Sequence, residues 1–341
     1  MYLSFLLDVE DFVSPGADDI AKAVADLLTA ERAPVTLCVV GERARQWRAR
    51  QRTDVIAAIG RHDVGFHTDL HSIHPTIAEY LAPRGWDDGV AEAVRREEPG
   101  VRAIREVFGV MPSCWAIPGR SWGPQIHEAM QQLGVPAVIY SPTRVPHGDI
   151  HRFRGILTYP LGRSLRDALY HDTPAWERRL AELKAELDTD RRAGIQWAQV
   201  FLGHPSRILH EEYWDLPSFG NGRNPPPAEW ILPRRKSDAD LDTALANLRR
   251  TVRELAVLPG CEPRTIREMN ACFANAVEEP LTEDEQALIA PEIDRAVAGI
   301  AGWPILPRSF DTAPLRAMTS ARMPTLRRLR LAATSASGTA C

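Results

Sequence analysis

The sequence predicts a parallel α/β barrel. Short apolar, β-branched runs alternate with longer stretches of helical period, the alternation recurs about seven times, and polar clusters stand where several of the runs end. The predicted strands are 3–7, 35–40, 63–67, 112–116, 137–140, 156–159 and 199–202. Helical patterns fall between them at 17–30, 53–60, 88–108, 124–133 and 174–193, with apolar residues three and four apart. Several of these begin near a Pro or end at a Gly, as helices tend to.

After Leu202 the rhythm pauses in 214–235, a stretch crowded with Pro, Gly and Asn that reads as a long ordered loop over the barrel mouth. A helix is predicted at 238–255, followed by a closing strand around Thr265 and Ile266 and a helix at 267–276. From Glu278 the chain reads as an appendage with one helix at 282–301 and a Ser/Thr/Ala-rich end expected to be disordered. The expected organisation is a barrel over 1–277 and an extension over 278–341.

Composition narrows the function. Hydrophobic residues at 44% and charged residues at 25% fit a packed globular chain. A net charge of −4 supplies no basic field for phosphates, so nucleic acid is not an expected partner, although the segment around Arg322 to Arg330 is locally basic. No stretch is long enough to span a membrane. The opening MYLSFLLDVEDF has no basic leader and is cut by acids, and the five cysteines show no paired spacing, so a cytoplasmic location is expected. The extension after Glu278 is a candidate contact with a second copy of the chain.

Three clusters at strand ends carry the chemistry, because parallel barrels place their active groups there. Asp8-Val9-Glu10-Asp11 follows the first strand, His67-Thr68-Asp69-Leu70-His71 the third, and Gly203-His204-Pro205 the last. Two histidines four apart share one face of a helical turn, which would let both imidazoles meet one cation. An acid from another strand end would complete a three-ligand face with positions left open. Thr68 stands where a zincin helix requires its Glu base, so a base must come from elsewhere; Asp8 can supply it, and His204 can act as the acid. His74 is also ligand-compatible, but Pro75 favours a turn there.

These segments resemble the polysaccharide deacetylases of the NodB-homology type, carbohydrate esterase family 4, over roughly residues 1–275. His67 to His71 is similar to the family's H-(S/T)-x-x-H metal motif, Val35 to Gly41 to its ATFFVVG strand, and Phe201 to His204 to its late Leu-x-His motif. Ser113 to Gln125 sits where the family carries its R-x-P-x-G segment, with Arg120 after the Pro-Gly instead of an Arg before it. The opening Leu7 to Asp11 is closer to the Asp-Val-Asp or Asp-Val-Glu start of divergent branches than to Thr-Phe-Asp-Asp-Gly. The resemblance implies a distorted (β/α)7 TIM-like barrel holding one divalent metal ion, with zinc the default. It also implies Asp8 as base and Glu10, His67 and His71 as ligands, with Asp11 the competing ligand or a neighbour of the site.

The expected reaction is hydrolysis of a C–N amide bond, deacetylation of an N-acetylated sugar or small molecule first. The alternatives are ring opening of a cyclic imide or ureide on the same barrel, and an inactive barrel that only binds a sugar or protein partner. Trp115, Trp122 and Trp214 are candidate substrate walls that stack on a sugar or flat ring, with core packing as their other reading. Arg120 and Arg207 are candidate carboxylate binders.

Overall fold

The predicted strands form one sheet in which the N-terminal strand is paired on both sides, third from one end of the path. A computed structural model of the chain describes residues 1–139, 150–160, 162–322 and 325–330. Its strands are β1 (Tyr2–Val9), β2 (Val35–Val39), β3 (Asp63–Phe66), β4 (Trp115–Ala116), β5 (Ala137–Ile139), β6 (His151–Phe153), β7 (Ile156–Tyr159), β8 (Arg163–Ser164), β9 (Trp197–Gly203), β10 (Glu262–Pro263), β11 (Val277–Pro280) and β12 (Arg327–Arg330). Their spatial order is β11-β12-β6-β7-β5-β4-β3-β2-β1-β9-β8, with β10 beside β1.

Seven of these, β1 to β5, β7 and β9, are the parallel staves of a distorted (β/α)7 barrel. Among the described residues β7 and β9 do not pair with each other; β8, which follows β7 in the chain, pairs with β9 in parallel. Alternation along each stave sends one set of side chains outward to the helices and the other inward. On β1, Leu3, Phe5, Leu7 and Val9 join the large outer core, whereas Leu6 joins Cys38, Cys114, Ala116 and Ile139 in the inner one. The same pleat puts Asp8 and Glu10 on Leu6's side.

The end of the barrel opposite those acids is plugged by helix Ile266–Phe273, whose Ile266, Met269 and Phe273 are buried in the inner core. Side chains at the starts of the staves pin it: the backbone N–H of Ile266 donates to Thr36 Oγ1 (3.0 Å) and that of Arg267 to Asp63 Oδ2 (3.0 Å). Thr265, expected in a closing strand, instead caps this helix in a capping box with Glu268, and the strand beside β1 is Glu262–Pro263.

Other expectations shift for identifiable reasons. Strand 112–116 contracts to two residues, and the predicted 137–140 ends in Tyr140, outside the described residues. The polar helix Gly41–Ala49 escaped notice because only Ala44 and Trp47 give it an apolar side. Strands β6, β11 and β12 are antiparallel to their neighbours, and β11 and β12 are charged sequences that carry no strand period. The expected boundary at 277/278 coincides with the start of β11, yet β12 pairs with β6 and Arg152 bridges to Glu278 (2.8 Å), so the extension continues the barrel's own sheet. The expected disordered end, 331–341, lies outside the described residues. No helix among the described residues is long and apolar enough to cross a membrane.

The plug is remote from the mouth, which separates stability from chemistry. Met269→Ala is expected to cost about 2–4 kcal/mol of unfolding free energy, measured by denaturant titration, with divalent-metal binding unchanged.

Candidate active site

Strand β1 runs two residues further than its apolar pattern suggests, so Asp8 is a strand residue paired with Cys38 and Glu10 is the first residue beyond the strand. Both are buried at the mouth. The segment after β3 is not the helical turn expected from the spacing of His67 and His71. It is a loop in which Thr68 (φ 61°) and His71 (φ 50°) take left-handed backbone conformations, and this brings the two rings to 5.1 Å between centroids. The loop is tied down by Glu97 of helix Trp86–Phe108, which accepts from Thr68 Oγ1 (2.8 Å) and the Asp69 N–H (3.1 Å).

Glu10 Oε2 lies 3.0 Å from His71 Nε2, 3.4 Å from His67 Nε2 and 3.8 Å from His204 Nε2. One ligand atom from each of Glu10, His67 and His71 falls within 4.8 Å of the others. Neither ring nitrogen of His67 nor Nε2 of His71 has a hydrogen-bond partner, although all three are buried. Buried polar atoms are seldom left so, and three of them converging with a carboxylate fit a divalent cation. The second ring nitrogen of His71 is engaged: Nδ1 meets Ser72 Oγ at 2.7 Å, and Ser72 donates onward to Asp215. With Nδ1 turned to Ser72, Nε2 is the nitrogen that faces Glu10.

Asp8 Oδ1 is buried without a hydrogen-bond partner, 3.6 Å from His67 Nδ1, and Asp8 Oδ2 is 4.0 Å from His204 Nε2. Burial pushes its carboxyl up, with His67 and His204 opposing. Glu10 goes the other way: burial disfavours its charge, but His204 and His71 outweigh this and hold it well below the usual carboxylate range. His204 is backed by Asp167, whose Oδ2 accepts from Nδ1 (2.6 Å) and from the His204 backbone N–H (3.1 Å). Burial works against the imidazolium, yet Glu10 and Asp167 push it up to about 10. Gly203 (φ +105°) makes this pairing possible, because a Cβ there would stand 2.4 Å from that of Asp167.

Asp11 lies outside the cluster. Its Oδ1 accepts from the N–H groups of Val13 and Ser14 (both 2.9 Å), and its Oδ2 is 3.2 Å from His210 Nε2. His74 pairs with Glu79 (2.7 Å).

The acids and His204 open into a cavity of about 390 Å³. Arg120 lines it, whereas Trp115, Trp122 and Trp214 do not: all three are fully buried in the outer core, and Trp214 packs edge-on against Phe12 (4.7 Å between centroids). The aromatic residues lining the cavity are Phe201, Tyr213 and Trp303. Arg207 is buried, donates to the His210 carbonyl and stacks on Tyr213 (4.8 Å). Asp167, Asp215 and Trp303 went unrecognised in the sequence. The first two are single acids without a motif, and Trp303 lies far along the chain in a segment read as an appendage.

Glu97 also provides a pH signature. Burial, reinforced by Asp69, pushes its carboxyl up to about 7. An unfolded Glu titrates at about 4.3, so between these values the folded chain binds more protons than the unfolded one, and stability falls as pH rises through that window. The unfolding free energy of the wild type relative to Glu97→Gln is expected to drop by about 3 kcal/mol from about pH 4.5 to 8. Identical pH dependence of the two proteins in thermal or urea melts would contradict this.

The polysaccharide deacetylase family model matches residues 11–138, a span that includes the histidine pair and β2 to β5 but not Asp8, Glu10 or His204. No curated protein matches by sequence. Among solved structures, a Mycobacterium smegmatis protein assigned as a polysaccharide deacetylase superposes with a TM-score of 0.48 at 17% identity, covering 79% of this chain and 88% of that one. The peptidoglycan deacetylase PdaC from Bacillus subtilis gives 0.41 at 12% identity, covering 79% and 90%. A CE4-family pseudoenzyme from Bacillus anthracis gives 0.44 at 11% identity, covering 79% and 65%. Over residues 11–138, a span that holds the His67 to His71 motif, the chain is similar to the polysaccharide deacetylase family.

Proposed function

We propose that the chain is a metal-dependent hydrolase of a C–N amide bond in an N-acylated small molecule or sugar. The observation that carries this is the convergence of Glu10, His67 and His71 through buried, unpartnered ring nitrogens, with Asp8 and His204 beside them. Bound there, a divalent cation, zinc by default, supplies Lewis acidity that polarises a carbonyl and lowers the pKa of water.

The chain's own residues divide the remaining work. Glu10 stays ionised because imidazoles face it, which suits a ligand. Asp8, raised by burial and free of a hydrogen-bond partner at Oδ1, is placed to take the proton of an attacking water. His204 is kept protonated by Glu10 and Asp167 and is placed to give a proton to the departing nitrogen. Asp167 holds its ring from behind, so Nε2 is the nitrogen that faces the acids. Two residues with opposite proton tasks on one cluster fit amide cleavage better than simple binding. The apolar walls of the cavity also admit a cyclic imide, whose ring opening would use the same roles.

Assay of the metal-loaded protein against N-acetyl sugars, N-acyl amino acids and cyclic imides tests the proposal. Asp8→Asn and His204→Gln are each expected to lower kcat by about 10²- to 10⁴-fold while metal content stays unchanged. Absence of any amide or imide hydrolysis with zinc, cobalt or manganese added would end the enzyme reading and favour a binding barrel.

A further inference from the structure

We infer that the segment 302–305 and Arg120 restrict the cavity to a small amide with an apolar body and a carboxylate group, and that a polymer is not its substrate. This rests on the hydrolase reading of the same cavity. The segment follows helix Glu283–Ala301, and its four residues Gly302, Trp303, Pro304 and Ile305 line the same cavity as the acids of β1. It is fixed from two sides. The N–H groups of Asn221 and Gly222 donate to the carbonyls of Pro304 and Ile305 (both 2.8 Å), joining it to the long loop after β9. The Trp303 indole lies against Gly119 (φ +55°), where a Cβ would come within 2.5 Å of the ring, and its centroid is 6.4 Å from that of His71. An indole wedged between the Pro118-Gly119 turn and the histidine loop walls the cavity on this side, where successive sugar units would otherwise pass.

The lining then defines what fits. Most of the polar side chains facing the cavity, namely Asp8, Glu10, His71, His204 and Asp215, belong to the cluster already described and are engaged there. The rest is chiefly apolar, including Ile117, Ile139, Phe201, Leu216 and Ile305, a surface that rewards a hydrocarbon or aromatic body and offers a sugar's hydroxyls few partners. Arg120 is the one Arg or Lys in the wall among the described residues. It is exposed, has no ion-pair or hydrogen-bond partner among the described residues, and packs beside Gly299 of the extension helix. A lone guanidinium on an apolar wall suits a carboxylate, which it can grip with two parallel hydrogen bonds.

Calorimetric binding to the zinc-loaded full chain carrying Asp8→Asn, which prevents turnover, provides the test. N-acetyl-L-phenylalanine is expected to bind about ten-fold or more tightly than N-acetylphenethylamine, its counterpart without the carboxylate, and more tightly than the N-acetylglucosamine tetramer. Adding Arg120→Gln should bring the first two within about two-fold by weakening the acid alone. Trp303→Ala should weaken both by about ten-fold, and Trp303→Phe should recover most of that. Equal binding of the acid and its neutral counterpart, or tighter binding of the tetramer, would overturn the inference. The outcomes separate it from the reaction proposed above: binding as expected, with no hydrolysis when Asp8 is restored, removes the hydrolase and keeps the ligand class. Hydrolysis that favours the tetramer keeps the hydrolase and removes this inference.

Discussion

Glu10 is a buried carboxylate facing His67, His71 and His204, and the rest of the mouth is arranged around that charge. Left alone in a low-dielectric interior it would take up a proton. Surrounded by imidazoles it remains an anion, and the same field keeps His204 protonated. Asp8, two residues earlier on the same face of β1, receives less compensation and is pushed up instead. Two acids separated by one pleat therefore hold opposite protonation preferences, a difference that suits the proposed division into a ligand and a proton acceptor.

The supporting elements extend this logic outward. Glu97 anchors the histidine loop, Asp167 backs His204, and Asp215 reaches His71 through Ser72, so each functional imidazole or its loop is oriented by a carboxylate from a different part of the chain. The C-terminal extension adds a different kind of support. By pairing β12 with β6 at one end and seating Trp303 on Gly119 at the other, it continues the barrel's sheet and forms a wall of the cavity.

Much of this was legible from the sequence for a simple reason. Inner strands of a parallel barrel are continuous apolar runs, and polar clusters that terminate them stand out, so β1, β2, β3, β7 and β9 and the residues Asp8, Glu10, His67, His71 and His204 could all be located. The histidine spacing was legible, but its conformation was not: four-residue separation suits a helical turn, and the loop that occurs depends on Thr68 and His71 adopting positive φ under the hold of Glu97. Asp11 stood as the rival to Glu10 for the metal, but its side chain caps its own turn. Trp115, Trp122 and Trp214 lie near strand ends or in the long loop, yet the outer core takes all three, whereas Trp303 reaches the cavity by long-range packing that no local pattern records.

The central claim is that Glu10, His67 and His71 hold one divalent metal ion. Titration of the metal-stripped full chain with zinc, followed by calorimetry and elemental analysis, tests it most directly. One ion per chain is expected, lost in Glu10→Gln and in His71→Ala and retained in Asp11→Asn. A chain that binds no ion, or one whose binding survives Glu10→Gln and disappears in Asp11→Asn, would contradict the account.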